Sequence, residues 1–120
     1  MRNGCKALTI LNRTQSRADD VAARIRKEFP DAEVLTHDLG NVQIDIAING
    51  TSLGMRADDE LPFDLDLIAR CAVVAECVIA PEMTRLLQLA EQQGCKTHRG
   101  IHMLRAQIEE LLAFMGAGAP

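Results

Sequence analysis

The chain has 120 residues, 48% of them hydrophobic, 25% charged and 2% aromatic, a balance that suits one globular domain and neither two domains nor a disordered segment. A net charge of −4, with three Phe and no Trp or Tyr, excludes a dedicated nucleic-acid binder, which needs a basic stripe or stacking aromatics. No apolar run approaches the ~20 residues of a membrane span and no secretory pattern follows Met1, so a cytoplasmic protein is expected.

After the turn-like Asn3-Gly4, the run Ala7 to Leu11 is apolar and β-prone, as a strand buried on both faces would be. Val21, Ala22, Ile25 and Phe29 then follow helical spacing, with Ser16 and Asp19 offered as a capping box and Pro30 as the stop. A short strand is expected at Glu33 to Thr36. Another runs from Ile44 to Ile48 and ends in the glycine-bearing turn Asn49-Gly50-Thr51-Ser52-Leu53-Gly54-Met55. Asp58-Asp59-Glu60 and Pro62 mark an exposed loop, Asp64 to Arg70 a short helix, and Cys71 to Val78 a strand closed by Pro81. Thr84 caps a helix bearing Leu86, Leu87, Leu89 and Ala90, with Gly94 as its C′ residue, and Cys95 to His98 is a last strand. Met103, Leu104, Ile108, Leu111, Leu112 and Met115 share one face of a closing helix, before a frayed Gly-Ala-Gly-Ala-Pro end.

Strands alternating with helices imply β-α-β crossovers, hence an α/β fold: a Rossmann-like, three-layer, mostly parallel sheet. Ligands of such sheets bind beyond the carboxyl ends of the strands, so Asn12 to Arg17, Asn49 to Met55, Cys77 to Pro81 and His98 to Met103 are expected along one edge. Cys5, Cys71, Cys77 and Cys95 lack C-x-x-C spacing and a histidine cluster, so buried reduced thiols are expected and neither a metal site nor a disulfide framework.

In dinucleotide folds an acid after the second strand selects the ribose 2′-OH, whereas an arginine accommodates a 2′-phosphate. Here Asn12-Arg13-Thr14 and Arg17 bring two guanidinium groups and a hydroxyl, and no acid. Ordinary arginines at a solvated helix start would look the same. Gln107 lies at i+4 from Met103 and i−4 from Leu111, inside the apolar stripe, where it is either a core amide bonded to backbone or a ligand-facing group.

Asn12-Arg13-Thr14-x-x-Arg17 and Asn49-Gly50-Thr51-Ser52-Leu53-Gly54-Met55 resemble two motifs of shikimate dehydrogenases and their quinate-dehydrogenase relatives. Pro81-x-x-Thr84-x-Leu86-Leu87-x-x-Ala90-x-x-x-Gly94, then Gly100-x-x-Met103-Leu104-x-x-Gln107, resembles that family's carboxyl-terminal pattern in order and spacing. The resemblance reaches to about Gly116, which makes residues 1–116 an NADP-binding Rossmann domain and residues 117–120 a tail. It implies hydride transfer between a nicotinamide and a cyclic polyol acid, as in aromatic amino acid biosynthesis. Arg13 and Arg17, with Asn12 and Thr14, are then expected on the 2′-phosphate of NADP. The turn Asn49, Thr51, Ser52, Leu53 and Gly54 would follow the cofactor, Cys77, Gly100 and Met103 would approach the nicotinamide, and Gln107 would reach the substrate.

The departures are Glu76 where Asp is common, Ile79 where Tyr is common, and Gly50 where Ala is usual. Loss of the Tyr hydroxyl removes a polar substrate contact and points to a divergent paralogue. On the same resemblance the chain is expected to lack the first Rossmann strand with its Gly-rich turn, and the substrate domain whose Lys and Asp move protons. Lys6, Lys27 and Lys96 match nothing catalytic, so no catalytic residue is assigned and the chain alone is expected to be inactive. The edges left on the strands at Ala7 to Leu11 and Ile44 to Ile48 would favour a homo-oligomer. The alternatives are a free-standing nucleotide-binding or interaction module and a glutamyl-tRNA reductase-like NADP domain, though the closing Gly100 to Gln107 pattern does not fit the latter.

Overall fold

The computed structural model describes Met1 and residues 4–117; Asn3 of the opening turn and residues 118–120 of the tail lie outside the described residues. The chain divides into two compact units, Met1–Val42 and Gln43–Pro120, which are taken separately.

The first unit is a β-α-β element. Strand β1 (Ala7–Thr9) pairs in parallel with β2 (Glu33–Leu35), and helix α1 (Gln15–Glu28) connects them. Ala18 and Ala22, one turn apart, are the buried face of α1; the small side chains permit close packing. Thr14 is the N-cap residue but makes no side-chain cap bond. The expected capping box is absent because Asp19 is used elsewhere: it accepts from the Thr36 hydroxyl at 2.7 Å and from Gln15 Nε2 at 3.0 Å. Those two bonds, Thr36 first, hold its carboxyl below the usual carboxylate range. At the other end Arg26 donates to the Val34 carbonyl, fastening the last turn of α1 to β2. β1 is exposed to half-buried along its length and Leu11 is 49% exposed, so the strand is not buried on both faces as its apolar run predicted.

The second unit is a three-stranded parallel sheet in the order β3-β4-β5, formed by Ile44–Asn49, Cys71–Glu76 and Lys96–His98. Helix α2 (Leu65–Ala69) joins the first pair and α3 (Arg85–Gln92) the second, while α4 (Gly100–Phe114) follows β5. Local chemistry sets the helix ends. Asp64 accepts from Leu67 N at 2.7 Å, Thr84 caps α3 by accepting from Leu87 N at 3.3 Å, and Gly94 at φ +83° takes the left-handed C′ position. Ile68, Val74, Leu86, Leu87 and Ala90 form the apolar core.

Two expectations fail in this unit. The apolar stripe of α4 is real, but Leu104, Ile108, Leu111, Leu112 and Met115 are exposed, and Gln107 among them is exposed and not buried. Of its cysteines, Cys71 and Cys95 are buried whereas Cys77 is exposed, as is Cys5 in the first unit. Periodicity finds the apolar face of a helix; it does not say what covers that face. No described helix is long and apolar enough to cross a membrane.

Candidate functional site

In the first unit the strand end is shaped by Asn12, whose Oδ1 accepts from Thr14 N at 3.1 Å, and by Arg17 N, which donates to Thr14 O at 3.1 Å. Arg13 lies on the bend itself and Arg17 in the first turn of α1, both exposed. Neither guanidinium has a salt-bridge partner among the described residues, and Asp19 is held by Thr36 and Gln15. Two unneutralised cations beside a hydroxyl suit a dianionic phosphate. A hollow of about 510 Å³ along Val21, Arg24, Ile25, Lys27, Glu28 and Phe29 contains none of these groups.

In the second unit register assembles the site. Asn49 stands opposite Glu76 and Ala75 opposite His98, so three strands end together. Asn49 is 1% exposed and organises the turn after β3. Its Oδ1 accepts from Thr51 N at 3.0 Å and Thr51 Oγ1 at 2.7 Å, and its Nδ2 donates to Leu53 O at 2.9 Å. Leu53 N donates to Thr51 Oγ1 at 3.1 Å. Asp59 completes the turn by accepting from Gly54 N at 2.9 Å and Arg56 N at 3.0 Å, bonds that keep its carboxyl below the usual range. Thr51 and Ser52 remain exposed at the rim, and a methyl at Gly50 would meet nothing within 4 Å.

Beyond β4, Thr51, Met55, Cys77, Val78, Ile79 and Ala80 line a mostly apolar cavity of about 290 Å³. Ile79 presents only carbon there, in keeping with the missing hydroxyl. Gly100 is buried because α4 starts hard against the preceding loop: a Cβ on it would lie 2.2 Å from the Val78 carbonyl oxygen. That close approach lets Cys77 Sγ donate to Met103 Sδ at 3.5 Å, 26 positions apart in the chain. Thus Asn49 to Met55, Cys77 to Ala80 and Gly100 to Met103 are brought together within this unit. Gln107 points out from α4 in the open, and His98 and His102 meet edge to face at 5.5 Å.

Sequence reasoning missed two contributors. Asp59 lies in the segment that the sequence marks as an exposed acidic loop, and its spacing of five from Gly54 is the signal that could have set it apart. Glu76 was noted only as a departure, yet it is fully buried, in a run Val74-Ala75-Glu76 that is apolar but for this residue.

No family model matches the chain. A shikimate dehydrogenase (NADP(+)) of Alkaliphilus oremlandii is 36% identical over 114 residues, covering 88% of this chain and 40% of the relative. A quinate/shikimate dehydrogenase of Escherichia coli is 35% identical over 130 residues, covering 98% of this chain and 45% of the relative. Among solved structures, quinate dehydrogenase from Corynebacterium glutamicum in complex with NAD superposes with a TM-score of 0.76 at 25% identity, over 91% of this chain and 40% of that one. The chain therefore spans less than half the length of the relatives it matches.

Proposed function

Kin to the carboxyl-terminal part of the shikimate dehydrogenase family, the chain is, we propose, the NADP-binding portion of a shikimate/quinate dehydrogenase-like oxidoreductase. Such an enzyme passes hydride between a nicotinamide and the alcohol or ketone carbon of a cyclic polyol acid; NADP, when bound, is the hydride carrier. The observation that supports the reading is the pair Arg13 and Arg17 between β1 and the first turn of α1, both exposed and neither with an ion-pair partner among the described residues.

Asn12, Arg13, Thr14 and Arg17 would hold the 2′-phosphate. Asn49, Thr51, Ser52, Leu53 and Gly54 would follow the cofactor, with Asn49 fixing the turn from below. The apolar cavity at Cys77 to Ala80 suits a flat ring, and Cys77, Gly100 and Met103 form its neighbourhood. Gln107, exposed on α4, is free to reach a substrate. No described residue is assigned to acid-base work, which is worth roughly 10²- to 10⁴-fold. Turnover of shikimate or quinate is expected only when the portion of the relatives that this chain does not span is supplied. The exposed free thiols of Cys5 and Cys77 fit a reducing, cytoplasmic setting.

Fluorescence titration of the purified chain with NADPH and NADH tests the assignment. NADPH is expected to bind at least about tenfold tighter, since a charge-assisted bond is worth roughly 1.5 to 3 kcal/mol. Equal affinities, or no binding of either, would remove it.

The same reading includes a homo-oligomer. Among the described residues β1 has only β2 and β3 only β4 as sheet neighbour, and Ile46 and Ile48 are exposed on β3. The α4 face adds Leu104, Ile108, Leu111, Leu112, Phe114 and Met115. Together these side chains form an exposed apolar surface, and a second copy is its proposed occupant. Sedimentation velocity at micromolar concentration should show a dimer or larger species that Leu111→Glu dissociates. A monodisperse monomer would refute this.

A further inference from the structure

The most heavily buried acid of the chain lies directly beneath the turn that follows β3. Glu76 ends the central strand of the second unit with no exposed surface. Its Oε1 accepts from Thr84 Oγ1 at 2.7 Å, while Oε2 has no hydrogen-bond partner. The Thr84 hydroxyl has spent its proton on Glu76 and uses its oxygen to cap α3 at Leu87 N. A Cβ at Gly54 would come within 3.5 Å of Thr84 Cγ2 and 4.0 Å of Glu76 Oε2, so the turn passes over the pair with room for no more than about a methyl between them. On the strand side Asn49, which shapes the same turn, is the register partner of Glu76, and Cys77 N donates to Asn49 O at 3.0 Å.

A carboxyl is an expensive way to fill such a space. Leaving a buried oxygen unsatisfied costs about 1 to 3 kcal/mol, and an apolar side chain of similar volume would avoid it. What an apolar side chain cannot do is accept from Thr84 while facing Gly54. We propose that Glu76 is a positioning residue, which holds the Asn49–Gly54 turn and the head of α3 as one unit by locking Thr84 beneath Gly54. Its bearing on function rests on the reading of that turn as cofactor-binding. Burial pushes the Glu76 carboxyl up, and the bond from Thr84, with the Asn49 amide nearby, pulls it only partly back. The groups that face it, Asn49 from β3, Gly54 from the turn and Thr84 from the head of α3, are uncharged, so no cation offsets the cost of burying the ionised form.

Amide hydrogen exchange of the full chain tests this directly, because Leu53 N is protected by Thr51 Oγ1 and Gly54 N by Asp59 Oδ2. In Glu76→Ala, exchange at Leu53, Gly54 and the α3 cap amide Leu87 should quicken about tenfold or more relative to Val74 in the sheet core, the loss expected of one buried bond. Thr84→Val should do the same, and decides the matter if Glu76→Ala does not fold. Glu76→Gln, which keeps an acceptor for Thr84, should leave the turn protected. It should also abolish a decline in wild-type stability as pH rises from the ordinary carboxylate range through the raised value, since the folded chain holds that proton more tightly than the unfolded one. NADPH affinity should fall with Glu76→Ala and return with Glu76→Gln. If Leu53 and Gly54 quicken no more than Val74 in the Ala and Val variants, Glu76 merely fills the core and the proposal fails. If wild type binds no NADPH while exchange behaves as described, the cofactor reading fails and the positioning role stands.

Discussion

Gly100→Ala should destabilise the second unit by about 3 kcal/mol or more, although alanine is the better helix former by roughly 1 kcal/mol. The added methyl would meet Val78 O at 2.2 Å, Val78 C at 2.7 Å and Cys77 C at 2.8 Å. All three are backbone atoms, so no side chain can swing aside. Either α4 backs away from the loop or the loop leaves the strand end, and both routes separate Met103 from Cys77. A loss of that size is a large part of the ~5 to 15 kcal/mol that holds a domain. Denaturant unfolding should show a lowered midpoint at unchanged slope, and the Cys77–Met103 contact should be lost from the spectrum of whatever remains folded. A change below about 1 kcal/mol would mean that α4 does not start where it is placed.

The second large effect concerns charge. Replacing Arg13 and Arg17 together by alanine should weaken NADPH binding by about 100-fold, taking roughly 1.5 to 3 kcal/mol per charge-assisted bond with partial solvent screening. NADH, which lacks the phosphate, should bind the double variant as it binds the wild type. Both side chains are exposed and neither carries an ion pair among the described residues, so stability should hardly move. Raising salt should mimic the substitution for NADPH alone. Parallel losses for both nucleotides would mean that the bend after β1 reads the adenosine and not its phosphate.

How far these residues could be read from the chain follows from the range of the forces involved. Local chemistry was legible. Thr84 as a cap, Gly94 as the left-handed end of α3 and the apolar run Ile44 to Ile48 each depend on neighbours a few positions away. The start of α1 was not, because Asp19 accepts from Thr36, 17 residues on, and from the Gln15 side chain rather than from a backbone N–H at the head of the helix. Gln107 illustrates a different limit. Its spacing placed it correctly on the apolar face of α4, but that face is exposed in this unit, so burial did not follow from amphipathicity. Strand order placed Cys77 and Met103 along the ligand edge and the resemblance placed them near the nicotinamide; the contact between them depends on Gly100 letting a helix start approach Val78 O, which no local pattern encodes. Glu76 carried a readable signal, an acid inside a strand otherwise fit for burial, and its partner Thr84 lay eight residues away in plain view as a helix cap.

The central claim is that this chain recognises the 2′-phosphate of a dinucleotide, and a half-cofactor isolates that group from everything the nicotinamide contributes. Calorimetric titration of the wild-type chain with adenosine 2′,5′-bisphosphate and with adenosine 5′-monophosphate, at one fixed ionic strength, measures it directly. The bisphosphate should bind at least about tenfold tighter, an advantage of at least roughly 1.4 kcal/mol that shrinks in Arg13→Ala. Indistinguishable binding of the two, or an advantage undiminished by loss of Arg13, would contradict it.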